Sequence, residues 1–445
     1  MTRSWKRLFT GIAATLTLAA GSTVSAAPAH AATPFAEIDP ATAQQFTLDP
    51  VSSFDGQPKN SFDVYGEAIK AVEAGGAITR KDSNALLASG GWSTGTPGLC
   101  HDTGLSASLS PSGFCWKKGD DLSSSYNSEG GWTPQGVTGS YDAQPGGLVD
   151  GHTAFLASWH FSRDMHTSTP KPNEFARLSL VNADNGKITY DNLLLVEPTG
   201  SVADGNGNFR AVKGIHADGV VWYGNKVFVA SGRWLQVYDL QHIWQVADTG
   251  REAVGITDGV SSARWSAYAL PMIGKYRTTG ADTEACVVRT GATPCLNSLS
   301  LDRTGQDGLV SAEYVRGGAG GRVIRWPLNY LTALPSTTDP SGRGVSHATR
   351  GFTSPVWDMQ GATTNGTTWY MSGTCPTGVG GGSGDPVASY SCIHRALPNN
   401  APNVYTTSPV YTQNLGYAPQ TKRIWGLNER INTTTGSRVV FSITG

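Results

Sequence analysis

The chain has 445 residues, with 33 Lys and Arg against 34 Asp and Glu, a formal net charge of −1. Charges this sparse (15% of residues) and this balanced exclude the basic excess of a nucleic-acid binder and the polybasic patch of a membrane-surface protein. Fifty-five glycines, 13 tryptophans and 15 tyrosines point to many turns joining short aromatic-rich segments, and so to all-β structure.

The first 31 residues form a unit of their own. Arg3, Lys6 and Arg7 make a positive n-region, Gly11 to Ala20 is an uncharged run, and Ala29-His30-Ala31 puts small residues at the two positions a signal peptidase reads. This pattern predicts a secretory signal peptide over 1–31, cleaved after Ala31, and an extracellular mature protein. The competing reading, a membrane anchor, needs about 20 apolar residues, more than the run supplies. Lys6-Arg7 is not a twin arginine, so the general export route is expected. Cleavage removes three basic residues and takes the net charge to −4. No later stretch is apolar and long enough to span a membrane.

Residues 32–60 read as a flexible, polar, Pro-containing arm. Phe62, Tyr65, Ile69 and Val72 then fall at three- and four-residue steps, and Gly75-Gly76 stops the run. This spacing predicts an amphipathic helix over Ser61 to Ala74. A second helical turn is expected over Arg80 to Ser89, ending at Gly90-Gly91. Together, 61–131 read as a helical and irregular segment that joins the main fold, with 90–131 Gly/Ser-rich and without clear periodicity.

The six cysteines fall in three local couples: Cys100 and Cys115, Cys286 and Cys295, Cys375 and Cys392. Spacing alone leaves 15 connectivities open. Local pairing is expected, because each couple brackets a Gly/Thr/Ser/Pro-rich loop whose cross-linking is worth about 3 kcal/mol in the chain-entropy picture. No C-x-x-C pair suggests zinc.

From Trp132 to the C-terminus, short alternating strands recur. Trp132-Thr-Pro-Gln-Gly-Val-Thr138 is echoed by Trp357-Asp-Met-Gln-Gly-Ala-Thr363, after which Asn365-Gly366 separates two strand-like runs, the strongest short hairpin signal. Gly214 to Tyr223 leads through Gly224-Asn225 into Lys226 to Ser231, and Trp234 to Asp239 supplies a third strand; Leu415 to Leu427 is a further echo. Phe175 to Val181 and Arg322 to Leu328 match the third strands. A small-residue first strand, a tight turn, a hydrophobic second strand and an aromatic third are the parts of a propeller blade, crowded near the axis. We therefore predict an all-β β-propeller over 132–445. About five units are readable, and at roughly 40–60 residues per blade there is room for five to seven. Arg438 to Ile443 is a strong terminal strand, expected to close the ring against strands from the start of the fold. A β-sandwich plus a second domain is the competing architecture.

Propellers take ligands at the mouth of the axial channel. Phasing the repeats places Asp150, His152, Lys213, His216, Asp218 and Asp358 there. His216 with Asp218 forms a candidate base and orienting partner, or the carboxylates hold an axial Ca²⁺. The competing reading is turn chemistry, since Asp-Gly at 150–151 and 218–219 is a common turn pair. His160, Asp164 and His166 lie within seven residues and form a weaker metal candidate. No G-x-S-x-G, H-E-x-x-H or phosphate loop is present. Gln44 and Gln45 lie in the flexible N-terminal arm, Gln144 in Asp-Ala-Gln-Pro-Gly-Gly and Gln306 in Thr-Gly-Gln-Asp-Gly, expected to be the mobile, exposed backbone a transglutaminase substrate requires, although surface loops routinely carry glutamine.

The phrases at 132–138, Lys213 to Gly224, Ser300 to Thr304 and Trp357 to Ala362 resemble a family of secreted actinobacterial β-propeller proteins typified by the dispase autolysis-inducing protein, over about 130–445. The resemblance implies a seven-bladed propeller without known enzyme activity (six or five blades remain the alternatives), induced autolysis of an extracellular neutral metalloprotease, and transglutaminase cross-linking through surface glutamines. Cell-wall association would fit the same setting. The alternative reading is an extracellular polysaccharide lyase or lactonase-like hydrolase using His216, Asp218 and an axial Ca²⁺. It requires His216, Asp218 and Asp358 to reach one pocket. A third, a glycan-binding module, requires rows of exposed tryptophan.

Overall fold

Tight turns set the local architecture. Asn365-Gly366 links Gly361–Thr364 to Trp369–Gly373, and Gly366 takes φ +95°, a conformation glycine adopts without steric cost. Gly224-Asn225 links Gly219–Tyr223 to Lys226–Ser231 in the same way. The computed structural model describes residues 33–52, 59–117, 119–120, 131–162, 175–281, 283–377, 379, 390–429 and 438–445. The signal peptide expected over 1–31, Asp164 and His166 lie outside the described residues.

Repeated hairpins build five antiparallel blades among the described residues. The first comprises Gly131–Gly139, Ala154–Ser162, Phe175–Asn182 and Thr189–Thr199. The second comprises Gly219–Tyr223, Lys226–Ser231, Trp234–Asp239 and Tyr268–Thr278. The third has Ser300–Asp302, Gly308–Ala312, Arg322–Asn329 and Arg350–Thr353. The fourth has Gly361–Thr364, Trp369–Gly373, Ser391–Ala396 and Asn403–Ser408. The fifth has Thr412–Ala418, Arg423–Asn428 and Val439–Thr444, and its outer strand is Ser112–Cys115 from the N-terminal part of the chain. The five inner strands neighbour one another in cyclic order, first to second through to fifth to first.

The fold is thus the all-β propeller that the repeats predict, closed by the terminal strand. Among the described residues it holds five blades, the low end of the range the repeats leave open, where the resemblance implies seven. The physical reason is chain use. The described residues of 33–117 build no blade of their own, and long excursions such as 240–267 lie within blades.

Crowding at the axis explains the small residues of the inner strands. A Cβ added to Gly136 would lie 2.9 Å from Val220 N, one on Gly219 2.1 Å from Leu299 N, and one on Gly361 2.5 Å from Asn414 Cα. Polar side chains tie the strands nearest the axis to the neighbouring blades. Asn414 Oδ1 accepts from Val137 N at 2.7 Å, Ser158 Oγ donates to Ala217 O at 2.9 Å, and Ser300 Oγ donates to Ala362 O at 2.7 Å. Apolar wedges fill the blade interfaces. Leu156, Leu178 and Leu193 meet Val220 and Trp222 between the first and second blades, and Phe228 and Leu235 meet Leu309 and Trp326 between the second and third. Each such side chain contributes about 1.5–3 kcal/mol by leaving water.

The N-terminal segment differs from its sequence reading. The described part of 32–60 is not a free arm: Phe35 is fully buried, Ala36–Glu37 extends the third blade, and Thr47–Pro50 pairs with both Tyr276–Thr278 and Ser346–His347. Its apolar residues find cover on blades two to four: Phe46 and Leu48 pack with the second and third, and Phe35 sits between Phe352 of the third and Trp369 of the fourth. The helix Ser61–Ala74 matches the predicted span and is capped by Asn60. It packs on the outer strands of the first two blades, which also pair in parallel over Leu193–Val196 and Tyr268–Pro271. The second helix starts at Ser83, because Asp82 caps it by accepting from Ala85 N; Ile78–Lys81 is instead a strand paired with Ile243–Val246.

The axial mouth as candidate functional site

Every blade begins at its inner strand, so the N-terminal ends of the inner strands and the C-terminal ends of the second strands gather at one mouth. His216 and Asp218 stand there, just before Gly219. Ala217 between them takes φ +55°, and its carbonyl is held by Ser158 Oγ, so the chain turns sharply and sets both side chains on one side. His216 Nδ1 lies 2.9 Å from Asp218 Oδ1, and its backbone N donates to Ser231 Oγ at 2.8 Å. The imidazole stacks on His160, with centroids 4.2 Å apart and planes at 25°. His160 is opposite Thr133 near the end of the second strand.

The fifth blade brings Glu429. Gln413 Nε2 donates to Glu429 Oε2 at 2.9 Å, and Glu429 N donates to Tyr411 O at 3.0 Å. Arg438 Nε donates to the carbonyl of Glu429 and its Nη1 to the carbonyl of Trp132, locking this corner to the first blade. Burial disfavours the charged form of His216, but the carboxylates of Asp218 and Glu429 outweigh it and raise the imidazole above its ordinary pKa. On the opposite side Tyr314 is pushed up by burial and by Asp358, Tyr411 and Glu429. The mouth therefore gathers two histidines, carboxylates and a phenol from five blades, the inventory of a site for a polar ligand or for proton transfer.

The predicted residues divide. His216 and Asp218 come together as expected, and His160 joins them as a stacking partner; its two companions in the weaker metal candidate, Asp164 and His166, lie outside the described residues. Asp358 borders the mouth but is already used: Gly317 N donates to its Oδ1 at 2.5 Å and Thr374 Oγ1 to its Oδ2 at 3.1 Å. Asp150 and His152 belong to the opposite mouth, because they follow the first inner strand instead of preceding it. Asp150 sits exposed in a turn at φ +50°, and His152 Nδ1 pairs with Asp184 Oδ2 at 2.5 Å. Lys213 is exposed and lines a separate cavity of about 590 Å³ with Glu197, Arg210, Ser231, Trp234 and Lys275. Among the described residues no group of three or more His, Cys, Asp or Glu is placed to hold a metal ion. Sequence reasoning missed Glu429, Gln413 and Tyr314. Glu429 and Tyr314 follow second strands, so phasing the ends of second strands as well as the starts of first strands would have found them.

The glutamines and cysteines are also placed. Gln44, Gln45, Gln144 and Gln306 are all exposed. Gln44 caps the short helix Pro40–Ala43 in helical geometry, whereas Gln144 is extended at φ −134° and ψ 140°. Gln306 lines an open hollow of about 420 Å³ with Tyr223, Asp307 and Tyr330. The three disulfides are local: Cys100–Cys115, Cys286–Cys295 and Cys375–Cys392. No described helix is long and apolar enough to cross a membrane.

No protein-family model and no curated protein matches the chain. Among solved structures it is similar to a GH43_1 enzyme from Xanthomonas citri, with 10% identity over 69% of this chain and 86% of that one, at a TM-score of 0.32. An α-L-arabinofuranosidase from Clostridium thermocellum is similar at 9% identity, 67% and 82% coverage and a TM-score of 0.31. A Trypanosoma rangeli sialidase follows at 14% identity, 70% and 54% coverage and a TM-score of 0.32. These similarities assign no residue of the mouth, and the propeller assignment stands on the strand pairing.

Proposed function

We propose that the chain is a secreted propeller that works by presenting its surface: a transglutaminase substrate that engages an extracellular metalloprotease and provokes its autolysis. The observation that supports this reading is the exposure of all four candidate glutamines. In the cross-linking step an amine attacks the glutamine carboxamide, an isopeptide bond forms and ammonia leaves. The acyl-donor backbone must lie extended in the enzyme's cleft. Both Gln44 and Gln144 cap short helices, with N on Pro40 O at 3.0 Å and on Ser140 O at 3.1 Å, but the Gln144 backbone is already extended whereas that of Gln44 is helical. Incubation with transglutaminase and a labelled primary amine, followed by peptide mapping, is expected to label Gln144 and Gln306 before Gln44 and Gln45. An unlabelled protein sinks the cross-linking reading. Unchanged metalloprotease self-digestion in the protein's presence sinks the protease reading.

A second reading is favoured by Glu429, whose charge acts with that of Asp218 on the His216 imidazole. On this reading the mouth is an extracellular polysaccharide lyase or glycoside-hydrolase site, with the carboxylates and imidazole as acid and base. Turnover of a polysaccharide or aryl-glycoside panel, falling about 100-fold or more in Glu429→Gln or Asp218→Asn with the fold intact, is its expected signature. No turnover of any member of the panel rejects it.

A further inference from the structure

A second concave site lies away from the axis, beside the outer strand of the first blade. Its volume is about 440 Å³, and Trp92, Trp132, Trp265, Tyr268, Asp191 and Asn192 line it. Two of its tryptophans are mounted rigidly with their rings in solvent. Trp92 is 77% exposed, yet its N donates to Asp191 Oδ1 at 3.0 Å. It follows Gly91, where a Cβ would come within 2.8 Å of Tyr190 N, so the chain can pass only as glycine. Trp265 is 55% exposed. It and Arg264 take φ +60° and +45°, left-handed geometry that costs on the order of 1 kcal/mol or more per non-glycine residue. Backbone bonds from Arg264 N to Ala253 O and Trp265 N to Arg251 O hold that geometry, and the Arg264 guanidinium lies 4.9 Å from the Trp265 ring centroid.

Folding does not explain this arrangement. A tryptophan buried in the core releases its surface from water, whereas these two rings stay wet on a strained, hydrogen-bonded mount, the condition of a recognition surface. The charges narrow the ligand. Arg177 pairs with Asp120 at 2.9 Å and Arg264 with Glu252 at 3.1 Å. Lys117 Nζ donates to Ser93 Oγ at 2.8 Å and Asp191 also lines the cleft, so the cations Arg177, Arg264 and Lys117 are matched in number by the carboxylates Asp120, Glu252 and Asp191. Flat aromatic faces next to an amide and a carboxylate suit a ring that has one C–H face and a rim of hydroxyls.

We infer that this cleft binds a neutral saccharide, stacked on Trp92 and Trp265 and hydrogen-bonded by Asp191 and Asn192. The site is independent of the axial mouth and of the surface glutamines, and holds whichever reading of those is correct. The test titrates the purified protein with cellohexaose, xylohexaose, maltohexaose and chitohexaose, following tryptophan fluorescence and heat. Tri-galacturonate and a proline-rich decapeptide serve as competitors of other chemistry. Saturable binding of at least one neutral hexasaccharide is expected. It should weaken ten-fold or more in Trp265→Ala and in Trp92→Ala, exposed positions where circular dichroism and melting temperature should not change. Asn192→Ala is expected to weaken it as well. No binding of any hexasaccharide, binding unaltered by both tryptophan variants, or preference for tri-galacturonate or the peptide would each overturn the proposal.

Discussion

Asp142 illustrates how far the environment of one residue can depart from its sequence reputation. Asp142-Ala143 sits in a Gly/Ser/Gln stretch that reads as solvated turn, yet Asp142 is buried, with Thr138 Oγ1 donating to its Oδ2 at 2.7 Å. Burial pushes its pKa up to about 8 from 3.8, against the opposing pull of the Thr138 hydroxyl and Arg303. A carboxyl with a raised folded-state pKa stabilises the fold most below its unfolded pKa, and that contribution is lost as pH rises through the folded value. Stability should therefore fall between pH 4 and 8, by about 1.4 kcal/mol per pH unit from this group, and level off above. Asp142→Asn is expected to flatten this slope, gaining a few kcal/mol over the parent at pH 9 and little at pH 4. Urea unfolding at several pH values checks it. Parallel curves for parent and variant would show that Asp142 does not ionise across the range. His216 is the converse case: its partner Asp218 was legible two residues away, but Glu429 comes from the other end of the chain, and no local pattern announces it.

At the scale of elements, the inner strands were the most legible parts. Their small residues have a direct physical cause, the approach of backbones at the axis, and this yields a prediction. Gly219→Ala would place a methyl against Leu299 N, where only backbone can give way, and should cost about 1–3 kcal/mol or more. Gly66→Ala, in a helix with nothing within 4 Å of the added atom, should instead be neutral or gain about 0.5–1 kcal/mol. Thermal or urea unfolding of the pair checks both, and equal effects at the two sites would contradict the crowding argument. The helix Ser61–Ala74 was legible because its apolar stripe follows the helical period. The strand Ile78–Lys81 was not, since four residues carry too little periodicity and only Ile243–Val246 across the sheet defines it.

Over the whole molecule, the ring is a product of pairings between distant parts of the chain. Val439–Thr444 meets Ser112–Cys115, Ala36–Glu37 meets Arg350–Thr353, and Arg438 ties Glu429 to Trp132. The sequence by itself determined what local forces decide: hairpins at Asn-Gly and Gly-Asn, small inner strands, aromatic third strands, and cysteine couples near enough to pair within one loop. Only the tertiary structure decided the number of blades, the docking of residues 33–52 across three of them, and the mouth to which each polar residue belongs. Asp150 and Asp218 carry the same Asp-Gly turn chemistry in sequence. One follows an inner strand and the other precedes one, and a strand's length separates them once the ring closes. The same closure brings Glu429 to His216 and sets Trp92 beside Trp265, because long-range β pairing, with no local signature of register or partner, places those segments side by side.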